Sequence, residues 1–254
     1  MDFRGKKVLV FGTGISGIGA GELLERAGAS VILYDGNENL DKDNLRKRFA
    51  AESSVEILLG SLPLEVMDQL ELVVLSPGVP TDLPIVNQLR EREIPIWGEV
   101  ELAYRFARGD VLAITGTNGK TTTTALLGEI MKAYRDSVFV VGNIGTPYTG
   151  AAMEMKESSV TVAEMSSFQL ETIDTFHPKV SAILNITPDH LNRHHTMEAY
   201  IQAKEKITKN QTEEDVCVLN YEDEVLRAFG EKLGAQVRYH NGNCRRYLHD
   251  FGLD

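Results

Sequence analysis

Three glycines near the N-terminus have the spacing of a diphosphate-binding turn. Gly12, Gly14 and Gly17 form the pattern GxGxxG between an apolar run and an amphipathic stretch. Small residues there let the backbone approach a pyrophosphate at the positive end of a helix. Asp35 ends the next apolar run, where its carboxylate can accept a hydrogen bond from a ribose hydroxyl. The pattern indicates a dinucleotide or another diphosphate ligand; NAD, FAD, a UDP-sugar and a tight turn without ligand all remain open.

A second glycine-containing segment, at residues 115–122, has the composition of a phosphate-binding loop. It reads Thr-Gly-Thr-Asn-Gly-Lys-Thr-Thr and lies between an apolar run and a long amphipathic stretch, although Ile114 replaces the first glycine of GxxxxGK[ST]. In such a loop Lys120 would reach the terminal phosphates and the Thr121 hydroxyl would bind Mg²⁺. The loop predicts ATP as ligand, with contacts from Gly116, Thr117, Asn118, Gly119, Lys120, Thr121 and Thr122.

A single acidic residue extends this prediction to a metal. Glu164 directly follows the apolar run 160–163, which reads as a buried strand. Its carboxylate would therefore lie at the carboxyl end of a sheet, where ligands of open α/β sheets collect. Because the phosphate loop supplies a reason for Mg²⁺ to be present, Glu164 is predicted to bind it.

Short apolar runs alternate with helical periodicity along the whole chain, which indicates parallel sheets covered on both faces. The predicted strands are 8–11, 31–34, 56–59, 72–75, 111–114, 138–141, 160–163, 180–184, 216–219 and 236–239. The predicted helices are 18–27, 40–49, 99–106, 120–133, 197–206 and 224–233, and residues 240–254 are predicted to be irregular. The fold class is thus α/β, with a Rossmann-like parallel-sheet domain at 1–108 and a P-loop-type α/β domain at 109–254.

Composition narrows the classes of partner. Hydrophobic residues make up 43% and charged residues 25% of the chain, as in ordinary globular proteins. The net charge of −11 is spread over both halves without a basic patch, which argues against nucleic acid. The apolar runs fall far short of the roughly 20 residues that span a bilayer, so no membrane partner is expected. Cys217 and Cys244 form no CxxC pair, which fits a reducing compartment and a cytoplasmic location.

The phosphate loop resembles the nucleotide loop of the Mur ligases, ATP-dependent enzymes that form amide bonds in peptidoglycan synthesis. Further segments are similar, in order and spacing, to the branch of that family that adds D-glutamate. These segments are SPGV at 76–79, GEVELA at 98–103, GNIG at 142–145, EMSSFQLE at 164–171, NITPDHL at 185–191 and AK at 203–204. The resemblance extends from residue 1 to about residue 239.

The resemblance implies a ligase whose partners are UDP-N-acetylmuramoyl-L-alanine, D-glutamate and ATP, with Mg²⁺ (two ions are expected) as cofactor. It implies a carbamylated lysine at Lys204, which is expected on the polar side of helix 197–206, and a second Mg²⁺ held or oriented by His190. His194 and His195 are expected to face solvent or to shape their loop.

The site residues that the resemblance implies fall into three groups. The catalytic residues are Lys120, His190 and Lys204, and the metal-binding residues are Thr121, Glu164, His190 and Lys204. The UDP-substrate is expected to contact Gly14, Ile15, Ser16, Gly17, Asp35, Ser76, Pro77, Gly78 and Asn143.

The length of the chain and its first glycine motif each leave one alternative to the ligase open. Complete members of the family have three domains, and the third binds D-glutamate and closes over ATP. Because this chain ends at Asp254, we expect an incomplete central domain and no glutamate-binding domain. One alternative is therefore a non-catalytic chain that binds UDP-substrate or ATP. The other is an NAD-dependent oxidoreductase built on the first domain, which would leave the phosphate loop unexplained.

Overall fold

The computed structural model describes residues 2–143 and 145–240, and the α/β fold class is confirmed. Its chain forms two compact units, each built on a parallel sheet. Unit 1 comprises Met1–Gly109, Val141–Ser158 and Phe168–Phe176, and unit 2 comprises Asp110–Val140, Ser159–Ser167 and His177–Asp254. The domains expected at 1–108 and 109–254 stay a prediction. Within the described part of the chain, none of the helices has both the length and the apolar character needed to cross a membrane.

Strands and helices alternate along the described chain. The strands are β1 (Lys7–Phe11), β2 (Ser30–Asp35), β3 (Glu56–Leu59), β4 (Leu72–Leu75), β5 (Ile96–Gly98), β6 (Asp110–Thr115), β7 (Val138–Gly142), β8 (Val160–Glu164), β9 (Val180–Ile183), β10 (Val216–Asn220) and β11 (Gln236–His240). The helices are α1 (Ile15–Arg26), α2 (Lys42–Arg46), α3 (Leu64–Met67), α4 (Pro84–Glu91), α5 (Glu99–Phe106), α6 (Lys120–Lys132), α7 (Tyr148–Ala151), α8 (Ser167–Glu171), α9 (Leu191–His194), α10 (Met197–Glu205) and α11 (Glu224–Gly230).

The sheet of unit 1 has the strand order β3-β2-β1-β4-β5. Successive strands run outward from β1 on one side and from β4 on the other, so the order reverses between these two strands. Phe11 at the end of β1 pairs with Leu75 at the end of β4, and the backbone N–H of Ser76 donates to the Phe11 carbonyl at 2.9 Å. Ligands of doubly wound sheets bind in the crevice at such a reversal, beyond the carboxyl ends of the strands.

The core of unit 1 explains why these segments become strands. All four residues of β4 are buried, and the last four of β1 are buried as well. One cluster on the sheet consists of side chains from three strands and α4, namely Leu9, Phe11, Ile32, Tyr34, Val73, Leu75, Val86 and Leu89, with further apolar residues around them. Continuous burial on both faces is what an apolar run without alternation predicts.

A buried carboxylate ties α5 to the segment after α8. Glu101 is fully buried, and it accepts hydrogen bonds from the backbone N–H groups of Asp174, Thr175 and Phe176. The Nε of Arg105 donates to the same carboxylate at 2.7 Å. Burial by itself would raise the pKa of Glu101, but these hydrogen bonds outweigh it and hold the pKa below its usual range.

We expect Glu101→Gln to destabilise unit 1 by about 2–4 kcal/mol, because the amide would turn an N–H group towards donors that now meet a carboxylate. Since the pKa is lower in the folded state, the stabilisation by Glu101 is present above the unfolded pKa, and protonation removes it as the pH falls through the folded value. Urea unfolding between pH 3 and pH 7 measures both effects. An equal free energy of unfolding for the variant and the wild type at pH 7 would show that this network adds nothing.

The sheet of unit 2 has the strand order β11-β10-β9-β6-β8-β7. β6 lies near the middle and pairs in parallel with β8 on one side and β9 on the other. The loop that follows β6 therefore emerges between the carboxyl ends of two neighbouring strands. Ile114 and Val162 belong to the buried cluster of this sheet, and α6 packs on it through Leu127 and Met131.

Most predicted elements agree with the structure to within a few residues, and the exceptions have local causes. The helix predicted at 40–49 is wrong in length, because α2 begins after its N-cap Asp41 and ends at Arg46. The sequence analysis missed the short helices α3, α7, α8 and α9, and also α4, although Pro84 in its first turn is a common helix start. His240, predicted to be irregular, ends β11, and the remainder of that prediction, 241–254, lies outside the described residues.

Candidate functional site

The strand reversal of unit 1 opens into a cavity of about 710 Å³. Its lining includes the loops after β1, β2 and β4 and the turn after β7. The predicted substrate residues found in this lining are Gly14, Ile15, Ser16, Asp35, Ser76, Pro77, Gly78 and Asn143. Gly17 lies outside the lining and is buried. The structure thus brings together eight predicted residues from four distant segments of the sequence.

The two glycines at the start of α1 differ in what surrounds them. A Cβ on Gly17 would lie 1.8 Å from the carbonyl oxygen of Gly12, so the turn closes only if residue 17 has no side chain. A Cβ on Gly14 would meet nothing within 4 Å and would project into open space. Gly14 is also the N-cap of α1, and the first turn of this helix contains no acidic residue. The cavity therefore has room for an anion at the positive end of α1.

Asp35 holds the loop around the cavity. Its Oδ2 accepts a hydrogen bond from the Thr13 hydroxyl at 3.0 Å, and its Oδ1 accepts from the backbone N–H of Asn37 at the same distance. Each carboxylate oxygen can accept a second hydrogen bond. Asp35 is therefore fixed in orientation and retains acceptor capacity for the ribose hydroxyl that the sequence predicts.

The sequence analysis assigned no role to a buried pair at the cavity wall. Gln169 belongs to the lining, and its Nε2 donates to Glu99 Oε1 at 2.8 Å. Burial raises the pKa of Glu99 to about 7, against the opposing effect of this hydrogen bond. The hydrogen bond to the Glu99 carboxyl group therefore fixes the orientation of the Gln169 amide. Glu99 is the first residue of α5 and lies 70 positions before Gln169 in the sequence. Gln169 belongs to the segment EMSSFQLE at 164–171, whose resemblance to the Mur ligases could have pointed to it.

In unit 2 the loop between β6 and α6 has the shape of a phosphate cradle. Gly116 has a φ of 149°, which side-chain-bearing residues rarely adopt. A Cβ added to Gly116 would also lie only 3.1 Å from the Cβ of Leu184. The Lys120 ammonium lies inside the loop and donates to the carbonyls of Gly116 at 3.0 Å and Thr117 at 2.9 Å. The first turn of α6 carries no acidic residue. The ammonium and the helix N-terminus thus place positive charge where a polyphosphate would bind.

Residues after β9 support this loop, and sequence analysis gave them no role. Asn185 accepts from the backbone N–H of Asn118 at 2.9 Å and donates to its carbonyl at 3.1 Å. The Thr117 hydroxyl lies 3.0 Å from the Tyr200 hydroxyl. The Thr117 hydroxyl also accepts a hydrogen bond from the backbone N–H of Thr187 at 3.0 Å. Of the other predicted ATP contacts, Gly119 is the N-cap of α6, and Thr121 and Thr122 are exposed in its first turn.

Lys204 is buried, so its predicted place on the polar side of the helix is wrong. Only 2% of its surface is exposed, because α10 turns it inward. Its Nζ donates to the Gly116 carbonyl at 2.7 Å, the same oxygen that Lys120 contacts, and lies 4.7 Å from the centre of the Tyr200 ring. Burial and the Lys120 charge lower the pKa of Lys204 to about 7, while the Asp189 charge opposes them.

The predicted metal-binding residues lie on elements around the phosphate loop. Glu164 ends β8 and pairs in register with Ile114, directly before the loop, and it is 1% exposed. A buried carboxylate there is costly unless cations or hydrogen bonds compensate it, which fits a Mg²⁺ ligand. The Thr121 hydroxyl offers a second oxygen at the start of α6. Among the described residues, no group of three or more His, Cys, Asp or Glu side chains could hold a metal. The fit to Mg²⁺ therefore depends on water and phosphate oxygens as further ligands.

The histidines after β9 differ in burial. His190 has φ 51°, its ring is half exposed, and its Nε2 lies 3.4 Å from Asp189 Oδ2. His194 is 5% exposed and its Nε2 lies 2.9 Å from the Ser167 hydroxyl, so the expectation that it faces solvent is wrong. Burial lowers the pKa of His194, with the Arg193 charge adding to the effect. His195 is exposed, which agrees with the expectation that it faces solvent.

Two family comparisons cover most of the chain. The family described as Mur ligase middle domain matches residues 114–245, and the family described as Mur ligase MurD-like, N-terminal domain matches residues 6–98. UDP-N-acetylmuramoylalanine–D-glutamate ligase of Lachnoclostridium phytofermentans is 62% identical over 237 residues, which is 93% of this chain and 52% of the relative. The chain therefore spans about half the length of the curated relatives it matches.

Solved structures share the fold. UDP-N-acetylmuramate:L-alanyl-gamma-D-glutamyl-meso-diaminopimelate ligase from Neisseria meningitides has a TM-score of 0.62 at 15% identity, over 93% of this chain and 78% of that chain. UDP-N-acetylmuramate-alanine ligase MurC from Thermotoga maritima has a TM-score of 0.52 at 26% identity, over 89% of this chain and 51% of that chain. Both similarities extend across residues of unit 1 and of unit 2.

Proposed function

Because the chain belongs to the Mur ligase family, we propose that it binds the substrates of a cytoplasmic ligase that adds D-glutamate to UDP-N-acetylmuramoyl-L-alanine. The observation that carries this proposal is the loop between β6 and α6, where the Lys120 ammonium donates to two loop carbonyls beside the N-terminus of α6. A loop with this charge and this position at a sheet edge suits the phosphates of ATP. An NAD-dependent oxidoreductase would have no use for it.

The proposed reaction has two steps. The alanyl carboxylate of the UDP-substrate attacks the γ-phosphorus of ATP, ADP leaves, and an acyl phosphate forms. The amine of D-glutamate then attacks the acyl carbon, loses a proton and displaces phosphate, which leaves an amide. The first step brings several negative charges together, so catalysis depends on positioning and on charge neutralisation.

The residues of unit 2 would neutralise that charge. Lys120 would exchange its two loop carbonyls for the terminal phosphates, and the backbone N–H groups of Gly116, Thr117, Asn118 and Gly119 would surround the phosphate oxygens. Thr121, Glu164, His190 and the modified Lys204 would hold Mg²⁺, which supplies charge neutralisation at the phosphates. Thr122, in the first turn of α6, would also contact ATP.

Unit 1 would bind the UDP part of the substrate in its cavity. Gly14, Ile15 and Ser16 line the cavity at the start of α1 and would offer backbone N–H groups to the diphosphate, with Gly17 behind them allowing the turn to close. Asp35 would offer its carboxylate to the ribose. Ser76, Pro77, Gly78 and Asn143 line the same cavity and are proposed to contact the rest of the substrate.

Carbamylation of Lys204 is part of the proposal. An amine adds to CO₂ only when it is neutral, and the carbon–nitrogen bond forms as the amine loses a proton. Burial of Lys204 with its pKa near 7 supports a substantial neutral fraction at neutral pH. We expect a carbamate resonance when the protein is exposed to [¹³C]bicarbonate, and its loss in Lys204→Arg. A wild-type spectrum identical to that of the variant would contradict the modification.

The experiment that tests the function is a phosphate-release assay on this chain, with each of ATP, Mg²⁺, UDP-N-acetylmuramoyl-L-alanine and D-glutamate omitted in turn. The proposed ligase releases phosphate only when all four are present. Release that does not depend on D-glutamate would contradict the assignment. Binding of both ATP and the UDP-substrate without any phosphate release would instead support a non-catalytic binding chain.

A further inference from the structure

The cavity of unit 1 has little charge of its own for an anionic ligand. Among its described lining residues Asp35 is the one charged side chain, and it is negative. A nucleoside diphosphate would therefore meet one carboxylate, several backbone N–H groups and the end of α1. A helix N-terminus contributes only about half of a positive charge. Within a chain of net charge −11, a further cation close to the loop would strengthen diphosphate binding.

Arg48 supplies a cation at this place. Its Nη1 donates to the carbonyl oxygen of Thr13 at 2.7 Å, and Thr13 belongs to the cavity lining between Gly12 and Gly14. Arg48 lies two residues beyond α2 and is exposed; it is not itself part of the cavity lining, and its contact with Thr13 places the guanidinium beside that lining. The contact joins residues 35 positions apart and depends on the fold, which is why the sequence analysis did not single it out.

The neighbours of Arg48 hold its backbone in place. Phe49 is 6% exposed, and its ring lies 3.3 Å from the position that a Cβ on Gly21 of α1 would occupy. Arg46 donates to the backbone carbonyls of Ser53 and Val55 beyond the next turn. These contacts fix the segment after α2 against α1. The backbone of Arg48 is therefore held at the position from which its guanidinium contacts the loop after β1.

We propose that Arg48 is a diphosphate-binding residue that sets the preference of the cavity for phosphorylated nucleosides. The guanidinium has five N–H donors, and the contact with Thr13 uses one of them. The remaining donors pair with phosphate oxygens, where charge-assisted hydrogen bonds from arginine are strong and directional. This inference rests on the proposed binding of a nucleoside diphosphate to unit 1.

The test compares the binding of UDP and of uridine to the whole chain by calorimetry and competition. Arg48→Gln removes the charge and leaves an uncharged amide donor on a shorter side chain. We expect it to weaken UDP binding about 10-fold or more, to change uridine binding less than about 2-fold, and to reduce the salt dependence of UDP binding. Lys47→Ala is the matched control, since it removes the same charge from the adjacent exposed position. It should leave both affinities unchanged.

The outcomes separate the inference from the function on which it rests. Equal UDP affinity in Arg48→Gln and the wild type overturns the role of Arg48 alone. An equal loss for UDP and uridine also overturns it, because such a loss means that Arg48 only shapes the loop. A wild-type chain that does not bind UDP overturns the proposed function of unit 1, and the inference with it.

Discussion

Replacing Lys120 with alanine is expected to weaken ATP binding about 100-fold or more, because two charge-assisted hydrogen bonds to phosphate are lost. In the structure the ammonium already lies inside the loop, where it donates to the carbonyls of Gly116 and Thr117. Lys204 remains beside it but is bound to the same Gly116 oxygen and is mostly buried, so it cannot take over the terminal phosphates. Isothermal titration with ATP and Mg²⁺ measures the effect.

The control for this prediction lies at the other end of the same helix. Lys132 ends α6 and forms an exposed ion pair with Glu129 at 2.7 Å. Lys132→Ala removes the same charge from the same helix, far from the loop, and should leave ATP affinity unchanged. Equal affinities in Lys120→Ala and Lys132→Ala would show that the loop is not the ATP site. Circular dichroism of both variants should match the wild type.

Gly17→Ala is expected to lower the melting temperature by roughly 10 °C or more, or to prevent unit 1 from folding. Its methyl carbon would lie 1.8 Å from the carbonyl oxygen of Gly12 and 3.0 Å from the Ser76 hydroxyl. The nearest clash is with backbone, which cannot rotate away as a side chain does. Relief would require α1 to shift from β1, and both are buried against the sheet core.

Gly14→Ala is the matched control for that substitution and also tests the ligand. Its φ of −70° suits alanine, and its new methyl group would meet nothing within 4 Å. The melting temperature should therefore stay within about 2 °C of the wild type. The methyl would occupy the space in front of α1 where the diphosphate is proposed to bind, so UDP affinity should fall. A stable Gly17→Ala chain with wild-type UDP binding would contradict the close approach seen in this turn.

Local patterns sufficed for much of the fold. The run Leu72–Leu75 is apolar at every position and forms a strand buried at every position. Most helices of seven or more residues were found from their periodicity; α4 was missed because Pro84 was not taken as a start. The very short helices such as α3 and α9 contain too few residues to show a period.

The positions of site residues were less accessible, because they depend on contacts between distant parts of the chain. The glycine loops could be placed from their own spacing. The burial of Lys204 against the Gly116 carbonyl links residues 88 positions apart, and the contact of His194 with Ser167 links residues 27 apart. Arg48, Gln169 and Tyr200 acquire their neighbours in the same way. No local periodicity carries that information.

The central claim is that this chain carries two nucleotide sites, one in the cavity of unit 1 and one in the loop of unit 2. Titration of UDP and of ATP into the wild type, Gly14→Ala and Lys120→Ala tests it most directly. We expect Gly14→Ala to weaken UDP binding with unchanged ATP binding, and Lys120→Ala to weaken ATP binding with unchanged UDP binding. If either variant weakened both nucleotides equally, or neither, the assignment of one nucleotide to each site would be wrong.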